Sequence, residues 1–303
     1  MPASNLVKNY PADINNAYFL KTPKLKNKIE RIAVFGMGGC YVAGLVLKEL
    51  LREEISVELS PHIKTSSKIL SIFLSYSGNT KEIINYFEKS SPNSLVITSG
   101  GRLLRLAERK KAMIIKIPEN MHQRFTFPYI FFPLIKFLEE NSIIKKKNIS
   151  KIIKTLEKNQ MAVEKQAKVI IERLNNKIPL FYASNFFFPT AYALKVYTEE
   201  DAKILCYSGR ITELFHNEIE ALPDKKFFPI LIIDKEETKN FENQINFFKK
   251  YIKNFYEIDF KNFSREERMF LILNLINYFS CSLALKRGVE PFKTLISDKI
   301  KKL

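Results

Sequence analysis

The residue types best suited to chemistry crowd into one short stretch, Ser75-Tyr76-Ser77-Gly78-Asn79-Thr80. The apolar run Ile69 to Leu74 precedes it and reads as a buried strand. Lys81 to Phe87 follows, with Ile83, Ile84 and Phe87 at helical spacing. A strand therefore ends, hydroxyl side chains gather in a turn around a glycine, and a helix begins. A helix N-terminus presents unpaired N–H groups and partial positive charge, which suit a phosphate. Ser75, Ser77 and Thr80 add hydroxyl donors. An ordinary helix start with nothing bound uses the same residue types, and spacing alone leaves both readings open.

A second turn, Gly36-Met37-Gly38-Gly39-Cys40, follows the apolar Ile32–Phe35 and precedes a helix with Val42, Leu45, Val46, Leu50 and Leu51 on one face. Strand, glycine turn and helix in that order make an anion site of doubly wound folds. As a dinucleotide fingerprint it is incomplete. Tyr41 stands where a third glycine belongs, and no acidic residue follows a second strand as a ribose contact requires. No nicotinamide cofactor is expected. A third turn, Ser99-Gly100-Gly101, follows the strand Leu95–Thr98. All three turns stand at carboxyl ends of strands, where parallel sheets bind ligands, so they can meet in space.

The chain has three histidines. His62, beside a proline in a loop, is given no role. His122 lies in Pro118–Arg124, at a strand's carboxyl end, and can border the site. His216 is surrounded by Glu213, Glu218 and Glu220; it reads either as a general acid or base or as a surface histidine in an acidic helix start. Glu199-Glu200-Asp201 closes a helix predicted over Thr190–Glu200. Acids at a helix C-terminus oppose the dipole, a local misfit that hints at function. Mutual repulsion and partial burial would raise a carboxylate's pKa and make it a better proton acceptor.

The elements that must position these groups alternate. Strands are predicted at 32–35, 69–74, 95–98 and 113–117, and a long apolar helix, Pro128–Leu138, closes this half. After the polar, lysine-rich stretch 139–150 comes an amphipathic helix over 152–174. The alternation then restarts, with strands at 178–183, 203–206, 228–233 and 255–258 and a final helix over 265–285. The pattern predicts an α/β protein with two domains, 1–148 and 149–303, each a mostly parallel sheet flanked by helices. The second half lacks a counterpart of the glycine-serine loop, so phosphate binding is assigned to the first.

Composition sets limits. Hydrophobic residues make up 46% and charged residues 27%, ordinary for a soluble globular protein. No apolar run is expected to cross a bilayer, and the N-terminus carries no secretion signal. Cys40, Cys206 and Cys281 show no metal or redox spacing, which favours thiols in a reducing cytosol. The net charge of +17 raises nucleic acid as a partner. The lysines are dispersed and no nucleic-acid motif occurs, so a lysine-rich surface attractive to anionic substrates is the reading adopted.

Ser75–Thr80 resembles the phosphosugar-binding loop of the sugar isomerase (SIS) domain superfamily. Together with Gly36-Met37-Gly38-Gly39, Thr98–Leu103, the Arg124 loop, Glu200, His216-Asn217 and Arg287-Gly288-Val289-Glu290-Pro291, it resembles the bifunctional phosphoglucose/phosphomannose isomerases, with two SIS domains. The resemblance implies interconversion of glucose 6-phosphate and mannose 6-phosphate with fructose 6-phosphate, with no metal or other cofactor. It implies that Ser75, Ser77 and Thr80 hold the phosphate with Gly38 and Gly39, and that Glu200 is the base between C2 and C1. Arg124 would steady the enediolate. His216 would assist ring opening beside Lys301, reaching the site from the other subunit of a homodimer. Thr294 would leave room for either epimer. Cys40 departs from the family's serine, Tyr41 from a small residue, and Leu295-Ile296 from a Pro-Arg pair; a thiol is a poorer phosphate donor than a hydroxyl. A regulatory sugar-phosphate-binding protein or an enzyme of another sugar phosphate, glucosamine phosphate included, stands as the alternative.

Overall fold

The computed structural model describes residues 7–59, 66–90, 93–260 and 262–300. Two compact units divide them, one built on 8–153 and the other on 154–298. His62 and Lys301 lie outside the described residues.

In the first unit, α1 (Tyr10–Tyr18) precedes β1 (Arg31–Gly36), α2 (Gly39–Leu50), β2 (Ser56–Leu59), β3 (Ile69–Leu74), α3 (Lys81–Glu88), β4 (Ser94–Thr98), α4 (Gly101–Arg109), β5 (Met113–Lys116) and α5 (Phe127–Glu140). The sheet order is β2-β1-β3-β4-β5, with every pairing parallel. Crossover helices cover both faces of such a sheet, so its central strands are mostly apolar. β3 and β4 are buried at every position. Phe35 stacks on Phe73 at 4.8 Å, and Phe87 of α3 meets Phe73 edge-on at 5.1 Å. Burying each such side chain contributes about 1.5–3 kcal/mol.

α6 (Ile149–Leu174) runs from the first unit into the second. The second unit continues with β6 (Ile178–Ala183), α7 (Phe188–Tyr197), β7 (Tyr207–Arg210), α8 (Ile211–Leu214), β8 (Phe227–Ile232), α9 (Glu242–Tyr251), β9 (Tyr256–Glu257), α10 (Arg265–Lys286) and α11 (Leu295–Ile300). Its sheet is again wholly parallel, in the order β7-β6-β8-β9. Both sheets are therefore wound alike, the second strand lying outside the first. α10 starts at a capping box of Ser264 and Glu267. Among the described residues it is the one helix long and apolar enough to cross a bilayer. Of its most apolar stretch, 83% is buried inside the protein, so it serves as a core helix.

Two strands differ from expectation. β2 is absent from the sequence reading, and it carries an acid, Glu58, whose carboxylate pairs with Arg31 at 3.4 Å. The strand expected at 203–206 lies instead at Tyr207–Arg210. The chain leaves α7 through one π-helical turn, Thr198–Ala202, and Lys203 takes a left-handed conformation. Leu205 is then 85% exposed, and pairing with β6 begins only at Tyr207.

In the first unit, Tyr129 of α5 donates its hydroxyl to Asp13 of α1 at 3.3 Å. Burial raises the Asp13 pKa from 3.8 to about 6, against the lowering effect of that bond. The folded state therefore binds a proton more tightly than the unfolded chain. The stabilisation is full below the ordinary carboxyl pKa and is lost as pH rises through about 6. Asp13→Asn should raise the urea midpoint at pH 8 and leave it unchanged at pH 4. An equal change at both would show that the carboxylate's ionisation is not the cause.

Candidate active site

At the carboxyl edge of the first sheet three loops meet. The Ser75 N–H donates to Ile97 O at 3.2 Å, the Ser99 N–H to Tyr76 O at 3.0 Å, and the Leu103 N–H to Gly78 O at 2.8 Å. The loops after β3 and β4 approach so closely that side chains are excluded. A Cβ on Gly78 would lie 1.8 Å from Gly100 O, and one on Gly101 would lie 2.3 Å from Ser77 O. Both glycines have positive φ, 63° and 76°. The loop after β1 comes in beside them, its Cys40 thiol near enough to the Tyr76 backbone N–H for that group to lower its pKa.

This arrangement gathers Ser75, Ser77, Thr80, Gly38, Gly39 and Cys40 on one unit. Ser75 is buried; its hydroxyl lies 3.0 Å from that of Thr80 and accepts the Gly78 N–H at 3.2 Å. Ser77 is exposed and accepts the Asn79 N–H at 3.3 Å. Thr80 is the N-cap of α3 and Gly38 that of α2, and neither helix start has a side-chain cap bond. Their first-turn N–H groups are oriented as an anion requires. Burial pushes the Cys40 thiol up to about 11, against the lowering effect of the Tyr76 N–H, so the sulfur stays protonated near neutrality. Cys40→Ser should leave the KM for a phosphorylated substrate unchanged or lower it, since a hydroxyl is the better donor. A large rise, read by steady-state kinetics, would show that the thiol has its own task.

Arg124 lies beyond β5 in a short 3₁₀ turn, Gln123–Phe125, and is buried. Its N–H donates to His122 Nδ1 at 3.4 Å. Tyr76 ties this loop to the hydroxyl loop. The Tyr76 hydroxyl donates to Met121 O at 2.9 Å and accepts the Met121 N–H at 2.7 Å. Sequence reasoning missed Tyr76, whose only signal is an aromatic hydroxyl set among small donors.

A cavity of about 270 Å³ opens beside this edge, lined by Gly36, Met37, Tyr41 and Glu82 among others. A larger one, about 510 Å³, lies around Tyr18, Lys147 and Ile149 and touches none of the predicted site residues.

The second unit holds Glu200, His216 and Thr294. Glu200 sits half-buried in the π turn. Several bonds fix that turn. Thr198 Oγ1 donates to Leu194 O at 2.6 Å, Lys203 Nζ donates to Glu200 O, and Lys195 pairs with Glu199 at 2.9 Å. Ser280 Oγ of α10 donates to Asp201 Oδ2 at 2.7 Å, with both residues fully buried. The three acids at the helix end thus sit in a local change of helix type, a feature frequent at functional sites, with Glu199 and Asp201 each given a partner.

His216 is exposed, in the turn after α8. Two residues on, Glu218 accepts the Tyr207 hydroxyl at 2.5 Å. The bond to Glu218, then burial, pushes the Tyr207 pKa up to about 12; burial, then Glu218, raises that of Tyr182. Both phenols stay protonated, and that of Tyr207 holds the carboxylate. Thr294 precedes α11, and its carbonyl accepts the Ser297 hydroxyl at 3.1 Å. Among the described residues no three His, Cys, Asp or Glu side chains gather in a way that would hold a metal ion.

Residues 163–303 match the family described as the bacterial phospho-glucose isomerase C-terminal SIS domain. The chain is 30% identical over 288 residues to a bifunctional phosphoglucose/phosphomannose isomerase of Thermoplasma volcanium, covering 91% of each. It is 32% identical over 237 residues to a D-glucosamine-6-phosphate 4-epimerase of Sulfolobus acidocaldarius, covering 76% of each. In fold it is similar to tagatose-6-phosphate ketose/aldose isomerase from Escherichia coli, at TM-score 0.72 and 13% identity over 95% of this chain and 94% of that one. Glucosamine-6-phosphate deaminase from Thermotoga maritima gives TM-score 0.73 at 14% identity over 97% of each. With the loops and both parallel sheets in place, this similarity along nine-tenths of the chain shows that it belongs to the phosphoglucose/phosphomannose isomerase family of SIS-domain proteins.

Proposed function

We propose that the protein is a sugar-phosphate aldose–ketose isomerase that interconverts glucose 6-phosphate and mannose 6-phosphate with fructose 6-phosphate. The observation that carries this reading is the 30% identity over 91% of the chain to the Thermoplasma volcanium isomerase. The three-loop cradle of hydroxyls and helix N-termini supports it. Ser75, Ser77 and Thr80, with Gly38, Gly39 and Cys40, take the phosphate. Glu200 collects the proton from C2 and returns it at C1, or the reverse. Arg124 steadies the enediolate's negative charge. His216, with Lys301, opens the ring, and Thr294 stands near C2, where the two epimers differ. We extend the proposal to a homodimer with His216 supplied across the interface, acting in the cytoplasm in glycolysis or gluconeogenesis. Residues 1–148 would form the phosphate-binding SIS domain and 149–303 the domain carrying the glutamate and histidine.

The 32% identity to the glucosamine-6-phosphate epimerase favours a second reading, an epimerase at C4 of an amino sugar phosphate. An enediolate between C1 and C2 leaves C4 untouched, so this activity demands chemistry beyond the roles above. The deciding assay presents fructose 6-phosphate in EDTA and reads glucose 6-phosphate and mannose 6-phosphate separately. A parallel reaction with glucosamine 6-phosphate is read for its C4 epimer. Formation of both hexose products supports the bifunctional enzyme, and glucose 6-phosphate alone removes the dual specificity. Turnover of glucosamine 6-phosphate alone supports the epimerase. No product from folded protein that binds the sugar phosphates replaces both with a regulatory binding protein.

A further inference from the structure

One residue of the loop after β3 ties it to the loops after β4 and β5 at the edge of the first sheet. The backbone N–H of Tyr76 lies near enough to the Cys40 thiol to lower its pKa. Its carbonyl accepts the Ser99 N–H at 3.0 Å and the Ser99 hydroxyl at 2.7 Å. Its own hydroxyl both donates to and accepts from the backbone of Met121, three residues before Arg124. A phenol has one proton to give and lone pairs to accept with. Here the N–H and the carbonyl of one residue take both kinds of bond, so rotation of the ring and drift of the loop are both opposed. Between Met121 and Arg124 the chain is short and locally bonded, through Phe125 N–H to His122 O at 2.9 Å and Arg124 N–H to His122 Nδ1. Displacement at Met121 is therefore passed to the arginine.

We propose that Tyr76 is a positioning residue that transmits the placement of the phosphate loop to the Arg124 loop, so that binding energy from the phosphate end holds the guanidinium where negative charge develops. Binding energy from a non-reacting part of a substrate raises turnover when it fixes a group that acts in the transition state. The flanking Ser75 and Ser77 hydroxyls belong to the phosphate. The Tyr76 side chain points to neither, and its removal should spare phosphate affinity. This inference rests on the reading of Arg124 as the enediolate's cation.

The test compares the full-length protein with Tyr76→Phe, Arg124→Ala and the double variant. It reads kcat and KM for fructose 6-phosphate, competitive inhibition by inorganic phosphate, and amide hydrogen exchange over residues 119–125. Tyr76→Phe should lower kcat about tenfold or more, with the phosphate inhibition constant held within about twofold. Exchange over 119–125 should quicken, and inorganic phosphate, which should slow it in the wild type, should no longer do so. In the Arg124→Ala background the tyrosine substitution should cost nothing further. Unchanged kcat in Tyr76→Phe beside a large loss in Arg124→Ala would overturn the inference and leave Arg124's role standing. Multiplied losses in the double variant, or weakened phosphate inhibition with kcat intact, would overturn it as well. Unchanged kcat in Arg124→Ala would remove the role of Arg124 and this inference with it. An inactive wild type would overturn the proposed function itself, and the link from Tyr76 to turnover would fall with it; the exchange data would then report only a structural tie.

Discussion

Glu200→Gln is expected to lower kcat by about a thousandfold or more, equivalent to about 4 kcal/mol of barrier. Glutamine keeps the size and planarity of the side chain and removes only its ability to take a proton. The π turn that carries residue 200 is fixed by groups outside that side chain: Thr198, Lys203 and the Asp201–Ser280 pair. The fold should therefore survive, which thermal unfolding would check. Competitive inhibition by inorganic phosphate should stay at its wild-type value, because the hydroxyl loop lies in a different unit of the chain. Exchange of the C2 proton with deuterated solvent should vanish together with turnover. Retention of more than about a tenth of the activity would remove Glu200 as the base.

Arg124→Ala should cost about 10²–10³ in kcat, the range found when one preorganised donor to a developing oxyanion is removed. Arg124 is only 8% exposed, so its charge acts with little screening from water. Arg124→Lys should recover part of the loss at most, because an ammonium lacks the planar fork of a guanidinium. KM should move little in either variant, since the phosphate is held elsewhere. A rise in KM with kcat preserved would assign Arg124 to ground-state binding.

Much of this protein is legible in its sequence. The central strands read clearly because a parallel sheet covered on both faces requires mostly apolar residues, as in Ile69–Leu74, apolar except for Ser71 and buried at every position. The hydroxyl and glycine loops read equally well, because turns into helices admit few residue types and Gly78 and Gly101 leave no room for a Cβ. Similarity along most of the chain fixes the family. The two strands read wrongly, Ser56–Leu59 and Tyr207–Arg210, occupy the same place in their sheets, on the edge outside the first strand. Each has a single buried position. An edge strand needs little apolar surface, so it leaves almost no pattern to read. The π turn at Thr198–Ala202 was likewise invisible, since no local preference separates it from the end of an α-helix. The Tyr76–Met121 bonds span 45 residues and the Asp201–Ser280 bond spans 79. Sequence determined which groups the chain owns and the kind of scaffold that carries them. Tertiary structure alone decided which backbone each hydroxyl and carboxylate is tied to, because those bonds form between segments that only the packed sheets bring together.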